Sequence, residues 1–307
     1  MRVWLPWERP GDLLGGLPDG VQADFFKAGS VPPDSVEDVE FYVPDYLAKD
    51  PQVREIIRRM PALKVVQAQT AGYEDLLPFL GDQVTLCNAR GVHDASTAEL
   101  AMTLILASYR RIPPAVHAQA RGEWLRHDTW DDSLADRTVL IVGYGSIGEA
   151  LERRLAGFEC DVLRVARNAR PGVSSSQDLP ELLPRADVVV LLIPANDQTA
   201  GLVDAGFLAR MKDGALLVNV SRGAVVDTDA LVAELGSGRL RAALDVTDPE
   251  PLPAGHPLWS APNLLITPHR GGPSTAFPPR ITSLVREQLA RYAAGEPLRN
   301  VVAGPPR

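Results

Sequence analysis

The sequence predicts an α/β protein built from two doubly wound parallel sheets. Three observations carry that prediction. Short, almost continuously apolar runs recur along the 307 residues with helical stretches between them, the pattern of parallel strands covered on both faces. Near the middle, the apolar run 139–142 breaks into Gly143-Tyr144-Gly145-Ser146-Ile147-Gly148 and then a helical stretch, 149–155. That strand, glycine turn and helix are the order a dinucleotide-binding unit needs. The unit starts well after a first group of α/β elements, so it reads as an insertion into another domain.

Composition bounds the rest. The length allows two domains with ordinary cores, and 45% hydrophobic with 23% charged residues is a globular balance. A net charge of -8 argues against a phosphate backbone as the main partner, so no nucleic acid is expected. No apolar run reaches membrane-spanning length, so no membrane partner is expected either. The N-terminus enters a strand at once and reads as lacking a signal peptide, which makes the expected location cytoplasmic. Cys87 and Cys160 show no metal-ligand spacing. They are expected to be reduced, buried thiols, with no metal bound.

The first elements are strands at 2–5, 40–43, 64–68 and 85–87, with a helix at 51–60 that sets Val53, Ile56, Ile57 and Met60 on one side. A long helix is expected to begin at Ser96-Thr97-Ala98-Glu99, with Ser96 and Glu99 spaced as a capping box. Its stretch 100–109 is apolar nearly all round and should be buried. Arg110-Arg111-Ile112-Pro113-Pro114 ends it. The segment from there to Arg137, with Trp124 and Trp130, is too long for a simple loop. It is expected to hold a helix and to pack on a partner or on the other domain. Strands then follow at 139–142, 161–166, 188–193, 216–220, 242–246 and 264–267, and a last helix at 281–294. The expected domains are 1–93 plus 275–307, a discontinuous substrate domain, and 94–274, the dinucleotide-binding domain. The reaction is expected in the cleft between them.

In the glycine run, Gly143 permits a tight turn, Gly145 lets the backbone approach a pyrophosphate, and Gly148 lets helix and strand pack closely. Tyr144, Ser146 and Ile147 complete the loop, and the helix N-terminus offers N–H groups to the phosphates. The second strand normally ends in an acid that binds the ribose 2′-hydroxyl. Here it ends in Ala166, followed by Arg167-Asn168-Ala169-Arg170. A carboxylate repels a 2′-phosphate, whereas a guanidinium fork binds it. The expected cofactor is therefore NADP(H) in preference to NAD(H). The plainer alternative is that Arg167 and Arg170 are solvated loop charges.

Three polar residues sit just past later strand ends: Arg222, Glu250 and His269. Ligands of open α/β sheets bind beyond the carboxyl ends of the strands. Singly, Arg222 could pair with Asp227, Glu250 could be a solvated acid and His269 could bond to backbone. Together, after a dinucleotide fingerprint, they make a hydride-transfer site.

These stretches (143–148, 219–227, 244–253 and 267–269) resemble the D-isomer-specific 2-hydroxyacid dehydrogenase family, of the NADPH-dependent glyoxylate/hydroxypyruvate reductase type. The resemblance implies a Rossmann cofactor domain inserted in a flavodoxin-like substrate domain, and a homodimer that pairs through cofactor domains and nearby arms. It implies an oxidoreductase moving a hydride between NADP(H) and a small 2-oxo acid or D-2-hydroxy acid. His269 would donate the proton, and Glu250 would stabilise the charged imidazole. Arg222 would orient the substrate carboxylate and polarise the carbonyl. Ala71, Gly72 and Tyr73 look like the family's substrate-carboxylate loop. Asp245 would hold the nicotinamide carboxamide, unless it serves only its own turn. Ile193, Pro194, Thr199, Val220, Ser221 and Gly271 complete the implied cofactor set. Arg270 departs from the apolar or small residue usual after the histidine, and it faces either the site or solvent. Glu250 argues against formate dehydrogenase, where a glutamine stands. A 3-phosphoglycerate dehydrogenase lacking its regulatory domain is an alternative, with Arg90 and Arg270 as candidate phosphate partners. A dinucleotide-sensing, corepressor-like scaffold is another.

Overall fold

Residues 1–46, 51–126 and 130–305 are described by the computed structural model. In it the chain divides into two units, Met1–His93 with Thr275–Arg307, and Asp94–Ser274. The first unit opens with β1 (Arg2–Leu5), α1 (Pro10–Leu14), β2 (Gln22–Phe25), β3 (Val39–Tyr42), α2 (Pro51–Arg58), β4 (Val65–Gln67) and β5 (Thr85–Cys87). The second holds α3 (Asp94–Tyr109), α4 (Ile112–Ala120), β6 (Thr138–Val142), α5 (Ser146–Leu155), β7 (Asp161–Ala166) and β8 (Ser174–Ser175). It continues through α6 (Leu179–Leu182), β9 (Val188–Leu191), α7 (Ala205–Arg210), β10 (Leu216–Asn219), α8 (Thr228–Gly236), β11 (Arg241–Leu244) and β12 (Leu264–Ile266). The chain then returns to the first unit with α9 (Phe277–Ala293) and β13 (Val301–Ala303).

In the first unit the sheet order is β13-β5-β4-β3-β1-β2, parallel except for β13, which runs antiparallel to β5. Without that edge strand it is the flavodoxin-like order. The second unit has order β12-β11-β10-β9-β6-β7-β8, all parallel, which is the Rossmann order with one added strand. Residues of β9 alternate between its two cores. Val188 and Val190 pack with α3 and α5, through Ala101, Ile105 and Leu151. Val189 and Leu191 pack on the opposite face with Phe207, Leu231 and Leu235. Both faces are dry, so the strand reads as an unbroken apolar run.

Three local expectations are corrected. The long helix starts at Asp94, so Ser96 lies inside its first turn and no Ser96–Glu99 capping box closes it. Ser96 Oγ instead donates to Gly272 O at 3.3 Å, and Thr97 Oγ1 donates to Gly271 O at 3.1 Å. Pro113 and Pro114 do not merely end that helix. They open α4, where the missing N–H costs nothing. The strands β2, β8 and β13 were absent from the sequence reading. All three are short or edge strands without a continuous apolar run. Of the 124–130 stretch, residues 127–129 lie outside the described residues.

Candidate active site

The glycine loop lies where the strand order reverses, between β6 and β9. Gly143 has φ 103°, and a Cβ there would come within 2.6 Å of the Leu192 carbonyl, so only glycine fits. A Cβ on Gly145 would meet open space, whereas one on Gly148 would press on Gly143 O at 3.2 Å. No side chain caps α5, and its first turn closes with Glu149 N donating to Gly145 O at 2.9 Å. The N–H groups of Ser146, Ile147 and Gly148 therefore have no intrahelical acceptor. Open space at Gly145 beside uncapped N–H groups fits a dinucleotide pyrophosphate. Ser146 Oγ donates to Asp94 Oδ1 at 3.0 Å, which fixes the loop to the start of α3.

At the end of β7, Ala166 is half-buried, and Arg167, Asn168 and Arg170 are exposed. The arginines here differ. Arg164 is engaged by Glu152 of α5 through two guanidinium nitrogens, and it holds the Glu152 carboxyl below the usual carboxylate range. Arg167 and Arg170 have no carboxylate partner among the described residues. Arg170 Nη2 donates to Tyr144 O at 2.6 Å.

Past β9, Ile193 is half-buried and Pro194 exposed. Thr199 Oγ1 donates to Pro194 O at 2.6 Å and accepts from Asn196 N at 2.9 Å, so it closes this turn. Past β10, Val220 and Ser221 are buried. Asn219 accepts from Ser221 Oγ at 2.8 Å and donates to Arg222 O at 2.9 Å. It thereby pins the turn that presents Arg222. The Arg222 Nη1 donates to Ser221 O at 2.7 Å, and the guanidinium has no carboxylate partner among the described residues. Asp227 does not pair with it, because that carboxylate caps α8 through Ala230 N at 3.0 Å. A Cβ on Gly223 would overlap the Thr247 carbonyl. The Arg222 turn therefore packs directly on the loop leading to Glu250.

Arg222, Glu250 and His269 leave three neighbouring parallel strands, β10, β11 and β12, with Asn219, Leu244 and Ile266 in register. His269 Nδ1 lies 2.7 Å from Glu250 Oε1. A carboxylate only accepts, so Nδ1 carries the hydrogen and Nε2 is left for a ligand. The His269 backbone is left-handed, φ 53°, and its N–H donates to Asp245 O at 2.8 Å. The Asp245 side chain accepts from Thr267 Oγ1 (2.5 Å), Arg270 N (2.7 Å) and Gly271 N (2.8 Å), and the residue is 2% exposed. Asp245 thereby ties the histidine turn together, with Gly271 in it. Arg270 is exposed, as is Arg90 in the first unit.

In the first unit, Asn88 Nδ2 donates to Ala71 O at 2.8 Å and Thr70 Oγ1 donates to Gly72 O at 2.6 Å, shaping the 71–73 loop. The Tyr73 N–H meets a carboxylate already, that of Glu74, at 2.9 Å. Sequence reasoning missed Asn88, Asp94, Thr97 and Asn219, the residues that hold these turns. Asn219 had a faint signal, a polar residue closing an apolar strand. The others had none, because their partners are distant in sequence or are backbone groups.

Among the described residues, no cluster of His, Cys, Asp or Glu could hold a metal, and no helix is long and apolar enough to cross a membrane. Fold and site define a nicotinamide-binding oxidoreductase of the doubly wound class. Residues 102–271 match the family described as D-isomer specific 2-hydroxyacid dehydrogenase, NAD binding domain. The glyoxylate reductase of Thermococcus litoralis is 31% identical over 98% of this chain and 96% of its own length. The D-3-phosphoglycerate dehydrogenase of Methanocaldococcus jannaschii is 32% identical over 82% of this chain, which spans only 50% of that relative. A crystal structure of a D-isomer specific 2-hydroxyacid dehydrogenase from Xanthobacter autotrophicus Py2, in complex with NADPH and MES, is 31% identical. It matches with a TM-score of 0.83 over 98% of this chain and 97% of that one. The chain belongs to the D-isomer-specific 2-hydroxyacid dehydrogenase family, and it transfers a hydride between a nicotinamide cofactor and a small 2-oxo acid.

Proposed function

We propose that the protein is an NADP(H)-dependent reductase of small 2-oxo acids, of the glyoxylate/hydroxypyruvate type, which in reverse oxidises D-2-hydroxy acids. The observation that carries the cofactor choice is the pair of uncompensated arginines, Arg167 and Arg170, where an NAD-binding strand ends in an acid. The NADPH bound by the Xanthobacter relative supports it. The glycine loop 143–148 receives the pyrophosphate, Ala166 to Arg170 the adenosine ribose, and the turns at Ile193, Pro194, Thr199, Val220 and Ser221 border the nicotinamide half.

The bound nicotinamide supplies or accepts the hydride. Protonated His269 donates from Nε2 to the carbonyl oxygen as negative charge grows there. Glu250 holds the ring through Nδ1–H and stabilises the imidazolium. Arg222 takes one carboxylate oxygen and polarises the carbonyl. The loop Ala71-Gly72-Tyr73 is the proposed substrate-carboxylate loop of the first unit, where the Tyr73 N–H is taken up by the Glu74 carboxylate.

Steady-state kinetics with both cofactors test the cofactor choice. Loss of a charged hydrogen-bonding partner is worth about 1.5–3 kcal/mol, so Arg167→Ala should raise the KM for NADPH by about tenfold or more and leave that for NADH nearly unchanged. Equal use of NADPH and NADH by the unmodified enzyme defeats the assignment. The same assay run on a panel that includes a phosphorylated 3-hydroxy-2-oxo acid separates this activity from the phosphoglycerate dehydrogenase reading.

Partner and compartment complete the reading. Ile112, Val116, Trp124, Leu125 and Trp130 are exposed on and after α4, a concentration of apolar side chains that marks an interaction site. A second copy of the chain covers it in a homodimer. Sedimentation should give twice the chain mass, and Trp130→Arg should shift it toward one chain. A monomer at micromolar concentration would defeat the homodimer. Two free cysteines support a reducing, cytoplasmic setting.

A further inference from the structure

We propose that Tyr144 is the platform that holds Arg170 ready for a 2′-phosphate, so that Tyr144 sets cofactor choice through Arg170. The inference rests on the NADP(H) reading above.

Tyr144 stands between the first two glycines of the fingerprint. Two guanidinium groups lie against its ring, with the Arg164 and Arg170 carbons 5.8 Å and 5.6 Å from the ring centre. Both are within cation–π reach. The two arginines serve different ends. Arg164 is consumed by Glu152, and the Tyr144 hydroxyl donates to that same carboxylate. The ring also packs over Gly148, where a Cβ would come within 3.3 Å of it. Glu152, Arg164 and Gly148 therefore fix the ring. Arg170 lies against the fixed ring and donates to the carbonyl of the same residue at 2.6 Å. No carboxylate among the described residues neutralises Arg170, so its charge remains for an anion. An exposed arginine on a loop must lose rotamer freedom to bind a phosphate, and holding it beforehand lowers that cost. The residue in this loop position thus acts on the ribose end of the cofactor, some distance along the chain from the strand end that recognises it.

Calorimetric titration of the full chain with 2′,5′-ADP and with 5′-ADP reads the preference without turnover. Tyr144→Leu should lower the preference for 2′,5′-ADP by about three- to fivefold. Tyr144→Phe keeps the ring and should lower it by less than about twofold. Once Arg170→Ala is in place, adding Tyr144→Leu should change the preference no further, the signature of two residues acting as one. Thermal melting shows that each variant is folded. A Tyr144→Leu protein with the unmodified preference, or an equal loss with and without Arg170, overturns the platform. An unmodified protein with no preference overturns the cofactor reading itself.

Discussion

His269→Ala should cut turnover of a 2-oxo acid by about 10²–10⁴-fold, the usual contribution of a positioned general acid, while cofactor still binds. Glu250 accepts from Nδ1 at 2.7 Å, so Nε2 is the atom that exchanges a proton with substrate. The guanidinium of Arg222 does not give up a proton. The loss should fall on kcat and on kcat/KM together, because the proton moves only in the transition state. His269 is half-exposed at a strand end and outside both hydrophobic cores of its unit, so its removal should leave the melting temperature nearly unchanged. Glu250→Gln should be milder, since an amide oxygen still orients the ring but carries no charge to stabilise the imidazolium. Steady-state rates beside a cofactor fluorescence titration measure both. Near-normal turnover in His269→Ala would rule out the proton-donor role.

What could be read from the sequence followed burial. Strands such as β6, β9 and β10, dry on both faces, announce themselves as unbroken apolar runs. Edge strands do not. In β2, Gln22-Ala23-Asp24-Phe25 is partly solvated and owes its conformation to pairing with β1, a tertiary effect that local pattern does not encode. The start of α3 escaped for a similar reason. Ser96 and Thr97 have the look of a cap, but their hydroxyls reach Gly272 and Gly271, 176 and 174 residues away. The Pro113-Pro114 pair was ambiguous because proline both stops one helix and starts the next. Among site residues, Arg222, Glu250 and His269 were legible because each is a reactive type just past a strand end. The groups that aim them were not legible. Asn219 acts through a local turn, bonding Ser221 and Arg222, that many polar residues could close, whereas the partners of the Asp245 side chain lie in a turn that the fold brings to it.

Asp245→Asn should lower both stability and kcat while changing cofactor affinity little. The carboxylate accepts three hydrogen bonds and the peptide carbonyl of the same residue a fourth, from the His269 N–H. Together they hold the turn 267–271, including a histidine in the left-handed region at φ 53°, a conformation that costs a non-glycine residue about 1–2 kcal/mol. Asparagine keeps one acceptor oxygen and sets an NH2 where the other stood. In one amide orientation that NH2 confronts the Gly271 N–H; in the other it confronts the Arg270 N–H and the Thr267 hydroxyl. Either way at least one donor loses its acceptor, at about 1–3 kcal/mol for each buried group. For a unit of this size each kcal/mol should lower the melting temperature by about 2–4 °C. As the turn relaxes, Nε2 of His269 moves, and a displacement of about 1 Å can cost 10²-fold in rate. The alternative role, a direct bond from Asp245 to the nicotinamide carboxamide, makes the opposite prediction. Cofactor would then bind markedly more weakly to the variant, whatever its melting temperature. A cofactor titration on the variant therefore decides between a residue that touches the cofactor and one that aims the acid.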